Sequence, residues 1–185
     1  MTTLKVETTR KRSKVFSLFP ISKFAQLILI GIAILVPHSC ATSNTDVVYD
    51  APRSSDLLLR ENIVSFAKQQ IGDSYRYGAK GPNSFDCSGL VHYVFRSENI
   101  ITSGSAASLS SQGKGINKEN ARAGDLVFYK KGSDVFHVSI ISETIRGEIW
   151  VVHSTTSRGV IEEDILSSSY WKPKIYKIIS LDTYK

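Results

Sequence analysis

The sequence predicts an α+β domain in which N-terminal helices pack on an antiparallel sheet of about five to six strands. Three observations carry this. Apolar residues recur at helical spacing across residues 56–70 and again after Asp86. From Gly124 the texture changes to short runs rich in β-branched and aromatic residues, separated by turn residues. Helices followed by strands, rather than alternating with them, favour an antiparallel sheet. At 185 residues the chain suits one ordinary domain with an extension, and 42% apolar content is normal for a globular protein.

The extension comes first. Residues 1–23 are polar and basic, and Phe24–Val36 is an uncharged run of 13 residues. A free membrane-spanning helix needs about 20 residues, so this run is too short to cross a bilayer. It fits the apolar region of a secretory signal, with basic residues before it and small ones after. Cys40 follows in Pro37-His38-Ser39-Cys40-Ala41-Thr42-Ser43, where a bacterial lipoprotein signal carries the cysteine that receives a lipid. Residues 1–40 therefore read as an export signal ending in a lipoprotein cysteine, which would tether the product to a membrane. Residues 41–54 lack periodicity and read as a polar linker, leaving 55–185 as the folded domain.

Ser54 or Ser55 opens the first helix, expected over Asp56–Gln70. Leu57, Leu58, Ile63, Val64, Phe66 and Ala67 form its apolar stripes, and Gly72 stands where it stops. The segment Gly72-Asp73-Ser74-Tyr75-Arg76-Tyr77-Gly78 and the loop 79–85 deliver the chain to Asp86-Cys87-Ser88-Gly89-Leu90-Val91. Asp86 is a good N-cap, and Leu90, Val91, Val94 and Phe95 follow at helical spacing. Cys87 thus falls in the first helical turn, where unpaired N–H groups and the positive end of the helix dipole favour the thiolate. A lone cysteine is more often a small core hydrophobe, and it is the later histidines that argue otherwise here. Residues 100–120 are rich in Ser, Gly and Asn and read as an irregular connection with one helical turn near Ala106–Gln112.

Strands are expected at 125–129, 136–142, 148–154, 159–162 and 174–179. They matter because a thiol nucleophile needs a base, most often histidine. His38 lies in the export signal, and His92 sits five residues beyond Cys87, about 140° round the helix. That leaves His137 and His153, on consecutive strands. With Glu143–Gly147 as a five-residue loop, Ser142 faces Glu148, and counting back sets His137 directly opposite His153 on one face. A loop one residue longer or shorter would separate them to opposite faces. Roles follow from the chemistry: Cys87 attacks an acyl carbon, His137 shuttles the proton, and His153 orients the His137 ring through its other nitrogen. N–H groups at the helix start and the Tyr75 hydroxyl are candidates to meet the oxyanion. Asp86 and Ser88 flank the nucleophile and join Tyr75 as candidate oxyanion or substrate contacts. Ser88 is a poor rival nucleophile, because no G-x-S-x-G elbow surrounds it.

With these residues assembled, the chain resembles the NlpC-like cysteine peptidases of bacterial cell walls, a papain-like family. The resemblance spans about residues 57–180. Its blocks are Tyr75-Arg76-Tyr77-Gly78, Asp86–Val91, Gly124-Asp125-Leu126-Val127-Phe128-Tyr129, Phe136-His137-Val138-Ser139-Ile140 and Val152-His153-Ser154, after an opening helix that ends at Gly72. It implies a papain-like NlpC-type domain, a triad of Cys87, His137 and His153, and Tyr75 beside the nucleophile. It also implies hydrolysis of peptidoglycan stem peptides through a thioacyl-enzyme, at bonds such as γ-D-glutamyl–diaminopimelate or diaminopimelate cross-links. With the export signal, it implies a lipoprotein of the cell envelope facing the periplasm. Two departures bear on substrate choice. The family's usual Pro-Arg-Thr/Ser element followed by Gln is here Ala106–Gln112 without the Arg, and Gly78 is followed by Ala79 where a second glycine is common. Both positions are expected to border the substrate groove. An acyltransferase or amidase on the same scaffold, and a non-catalytic envelope-binding lipoprotein, are the alternative readings.

Charge and motif content narrow the field further. The formal net charge is +6, but residues 1–36 hold six basic side chains and one acid, leaving 17 basic against 16 acidic residues elsewhere. Nucleic acid is therefore not an expected partner. There is no C-x-x-C and no H-x-x-x-H, so neither a metal nor another cofactor is expected.

Overall fold

The computed structural model describes residues 51–102 and 104–185; the export segment, Cys40 and linker residues 41–50 lie outside them. Helix α1 (Ala51–Lys68) begins ahead of Ser54 and Ser55 and stops two residues short of Gln70. Its inward positions Ile63 and Ala67 are fully buried. Gly72 then takes φ +99°, a left-handed conformation that a residue bearing a Cβ adopts only under strain. A short parallel pair, β1 (Ser74–Tyr75) with β2 (Ser84–Phe85), follows. Two-residue strands carry no periodicity, which is why the sequence reads this stretch as loop.

Helix α2 (Cys87–Ser97) starts at the expected cap, with Asp86 Oδ1 accepting the Gly89 N–H at 2.6 Å. Helix α3 (Ala106–Ser111) is the anticipated helical turn in the long connection. The five expected strands all form: β3 (Leu126–Lys131), β4 (Asp134–Ile145), β5 (Glu148–Thr155), β6 (Gly159–Asp164) and β7 (Ile175–Ile179). They make one antiparallel sheet in the order β6-β5-β4-β3-β7. The described domain is thus α+β as expected.

Side-chain alternation divides the core into two layers. Leu126, Phe128, Val138, Ile140, Val152 and Val160 face the helices, where they meet Ile63, Leu90, Val94 and Phe95. Val127, Tyr129, Ile141, Val151 and Ile178 face the other way, under Ile165 and Trp171. Asp125 ties the layers to the rest of the chain. Wholly buried, it accepts from Arg60 Nη1 at 2.8 Å, the Arg122 N–H at 2.8 Å and the Leu181 N–H at 2.9 Å. Among the described residues no helix is long and apolar enough to cross a membrane.

The β4–β5 hairpin departs from the expected five-residue loop. Its turn is only Arg146-Gly147, with φ +51° and +86°, the double-positive geometry that matches strand twist in two-residue hairpins. Ile145 pairs with Glu148 and Glu143 with Trp150, yet further in Ile141 pairs with Val151 and Ile140 with Val152. Ser142 is the extra residue of a β-bulge. Counting from the turn alone would send His137 and His153 to opposite faces. The bulge changes the count by one and returns them to the same face, two positions offset rather than directly opposite.

Candidate active site

The start of α2 is held from both sides by one carboxylate. Asp86 Oδ1 accepts from the Gly89 N–H and from Ser88 Oγ at 3.1 Å, and Oδ2 accepts the Gly78 N–H at 2.9 Å. Cys87 is thereby fixed as the first helical residue. It is partly buried and lines a cleft of about 490 Å³ together with Tyr75, His137, Arg158, Tyr170 and Trp171. Asp86 and Ser88 do not line that cleft; their side chains serve the cap. A larger groove of about 840 Å³ beside α1, lined by Leu57, Val64 and Glu143 among others, holds none of the candidate residues.

His137 and His153 share the sheet face of Tyr129 and Trp171, and both are buried. His137 Nε2 lies 3.0 Å from His153 Nδ1. The Trp171 indole stacks on the His137 ring, with centroids 4.6 Å apart and planes 23° apart. On its far side His153 Nε2 is 2.9 Å from Glu163 Oε1. The same oxygen accepts from Trp171 Nε1 at 2.8 Å and from Arg158 Nη2 at 2.6 Å. Cys87 approaches from the helix layer, packed against the core that holds Val138.

Burial controls the charges. It pushes the Cys87 thiol up, against the opposing pull of N–H groups from Val138, Ser88 and Cys87 itself; the Asp86 carboxylate adds to the rise. The thiolate expected from helix position alone is therefore not favoured, because desolvation outweighs the helix-end amides. Burial, with the second ring nearby, holds His137 well below the ordinary histidine value. Burial likewise brings His153 down to about 4, although Glu163 opposes it. Glu163 itself would be raised by burial, but hydrogen bonds from Arg158, Trp171 and His153 keep it below its usual range. At neutral pH the site thus rests as thiol, two neutral imidazoles and one carboxylate.

Of the candidates from sequence, Cys87, His137 and Tyr75 meet at the cleft, and His153 stands behind His137. His92 turns away as expected, bonding Thr102 Oγ1 at 2.6 Å and the Gly104 carbonyl at 2.7 Å. The two family departures fall elsewhere than expected. Ala79 is buried with its carbonyl on the Asp86 N–H, and α3 packs against β4, so neither lines the cleft. Three residues of the site were not foreseen: Arg158, Glu163 and Trp171. Glu163 was within reach of sequence reasoning. In the β5–β6 register His153 faces Ile161, so the residue two further on shares its face as a diagonal neighbour. Ending that strand at Glu162 hid it. Among the described residues no group of three or more His, Cys, Asp or Glu converges as a metal site would.

Comparison with known proteins places the chain among known relatives. The NlpC/P60 family matches residues 72–180. The γ-DL-glutamyl hydrolase of Bacillus subtilis is 35% identical over 146 residues, covering 78% of this chain and 33% of that protein. The murein DD-endopeptidase MepS/murein LD-carboxypeptidase of Escherichia coli is 35% identical over 104 residues, covering 56% of this chain and 53% of that protein. The chain therefore spans only about a third to a half of these two relatives. A solved Staphylococcus aureus structure, described as similar to lipoprotein of the NLP/P60 family, superposes with TM-score 0.58 at 29% identity. It covers 67% of this chain and 41% of that one. With over half of the sequence matched and the same fold in a solved member, the chain belongs to the NlpC/P60 family.

Proposed function

We propose that this protein is a cysteine peptidase that hydrolyses amide bonds in peptidoglycan stem peptides, with γ-D-glutamyl–diaminopimelate and diaminopimelate cross-links as the leading bonds. The observation that carries this is the cleft shared by Cys87 and His137, with His137 hydrogen-bonded to His153. The relatives named as a γ-DL-glutamyl hydrolase and a murein endopeptidase support the substrate class. In the first half-reaction the Cys87 proton passes to His137 as the sulfur bonds to the carbonyl carbon. The oxyanion is met by N–H groups at the start of α2 and by the Tyr75 hydroxyl. His137 then returns the proton to the leaving nitrogen as the C–N bond breaks, leaving a thioacyl-enzyme. Water, giving a proton to His137, attacks the same carbon; the C–S bond breaks and the thiol is restored. Because thiol and imidazole both rest neutral, proton transfer accompanies attack rather than preceding it.

The test is digestion of purified peptidoglycan by the full chain beside Cys87→Ala, with products read by mass spectrometry. New stem-peptide fragments are expected with the native chain and none with the variant. Fragments from both would sink the nucleophile assignment. Silence from both would favour a binding role, and products joined to an added amine would favour an acyltransferase.

The same reading sets residues 1–40 as an export signal, 41–54 as a linker and 55–185 as the catalytic domain. A lipid on Cys40 then tethers the enzyme to a membrane, facing the periplasm. Cys40→Ser is expected to move the protein from the membrane pellet to the soluble fraction; an unchanged distribution would count against the anchor.

A further inference from the structure

We propose that Glu163 is a positioning residue of this site: through His153, its carboxylate fixes which nitrogen of His137 is left bare to accept the Cys87 proton. This rests on the reading of Cys87 and His137 as nucleophile and base. An ionised carboxylate only accepts, so His153 Nε2, 2.9 Å from Glu163 Oε1, carries the hydrogen. A neutral His153 then has a bare Nδ1, which accepts from His137 Nε2 across 3.0 Å. His137, neutral in turn, is left with a bare Nδ1. The assignment follows from the hydrogen-bond network, link by link.

Three things hold Glu163 to this task. Trp171 Nε1 and Arg158 Nη2 donate to the same oxygen that His153 uses, so the carboxylate is aimed as well as charged. Trp171 also stacks on His137, which couples the aim of the carboxylate to the ring it serves. The other titratable groups facing this assembly are Tyr129, tilted against His137 and bonded to Ser139, Tyr170, edge-on to Trp171, and Cys87 and Tyr75 along the cleft. None of them accepts from His153. Without Glu163, His153 is free to carry its hydrogen on Nδ1. That hydrogen would oppose the His137 Nε2–H, or push the His137 hydrogen to Nδ1, where it blocks the base. The negative charge has a second effect. As His137 takes a proton the positive charge forms inside the protein, where an ionised group one ring away stabilises it more than in water.

The experiment uses the full chain and needs no peptidoglycan, so an inert preparation would not confuse it with failure of the peptidase reading. Iodoacetamide alkylation of Cys87 is followed on its own tryptic peptide, at pH 7 and at about pH 10, in the native chain, Glu163→Gln and Glu163→Leu. At pH 7 alkylation needs His137 to take the Cys87 proton as the sulfur attacks, and the rate is expected to fall about tenfold in Gln and about 100-fold in Leu. Gln keeps an acceptor for His153 while losing the charge, hence its smaller loss. At about pH 10 hydroxide rather than His137 takes the Cys87 proton, so the reacting thiolate needs no imidazolium, and all three are expected to agree within about twofold. Nitrogen-15 NMR of the native chain is expected to show the His153 hydrogen on Nε2. Equal rates at pH 7, an equal loss at both pH values, or a native hydrogen on His153 Nδ1 would each overturn the proposal. Should the Leu variant fail to fold, the Gln variant and the native spectrum decide.

Discussion

Gly89→Ala is expected to lower the melting temperature by about 10 °C or more. A Cβ at this position would stand 2.0 Å from the Ala79 carbonyl oxygen and 3.0 Å from Asp86 Oδ1. Neither can step aside. The Ala79 carbonyl accepts the Asp86 N–H at 2.9 Å, and Ala79 is itself buried. Asp86 Oδ1 meanwhile holds the Gly89 N–H. Alanine is the better helix former by about 1 kcal/mol, but overpacking against fixed backbone costs about 3 kcal/mol or more, so the clash wins. For a domain of this size that corresponds to about 10 °C. Far-UV circular dichroism on heating would read it, beside Gly132→Ala. Gly132, unlike Gly89, has positive φ, but its Cβ would meet nothing within 4 Å, so a loss of only about 1 kcal/mol is expected. Equal melting of both variants would show that the Ala79 approach is not restrictive.

His137→Ala is expected to lower kcat/KM on peptidoglycan fragments by about 1000-fold, the scale of a positioned general base. The loss is large because burial keeps Cys87 protonated, so little thiolate exists without a base to take its proton. His92→Ala supplies the contrast. His92 is equally buried and fastens the connection at Thr102 and Gly104, away from the cleft. Its loss is expected to cost melting temperature while leaving the rate within about threefold, since it touches no reacting group. Steady-state rates and melting curves on both variants separate the roles; a comparable rate loss in both would remove His137 as the base.

Elements with a strong period were legible. The apolar stripe of α1, the Asp86 cap of α2 and the alternating Val, Ile, Phe and Tyr of the sheet are local signals, and each element formed within a few residues of its expected span. The histidine pair shows a different case. Its shared face was reached from a five-residue loop, whereas the chain uses a two-residue turn and a bulge at Ser142, which compensate in the count. Bulges have no sequence period, so neither the turn nor the offset could be read, and the shared face resulted because the two departures cancel. The charge of Cys87 was illegible for a different reason. Helix-end amides are visible in the motif, but the desolvation that outweighs them comes from packing between distant segments. Arg158 and Trp171 were missed likewise, since their convergence on one oxygen of Glu163 is a tertiary contact.

The stacking of Trp171 on His137 gives the protein an optical gauge. An imidazolium ring in contact with an indole quenches its fluorescence, whereas neutral imidazole does so far less. The chain has two tryptophans, and the other, Trp150, binds Glu148 on the hairpin arm, away from the stack. With Trp150→Phe, emission comes from Trp171 alone, and its brightness follows the charge on the two imidazoles it touches, His137 and His153. Acid titration, a bound inhibitor or a blocked thiol would each report as a change in light, with no dye and no turnover.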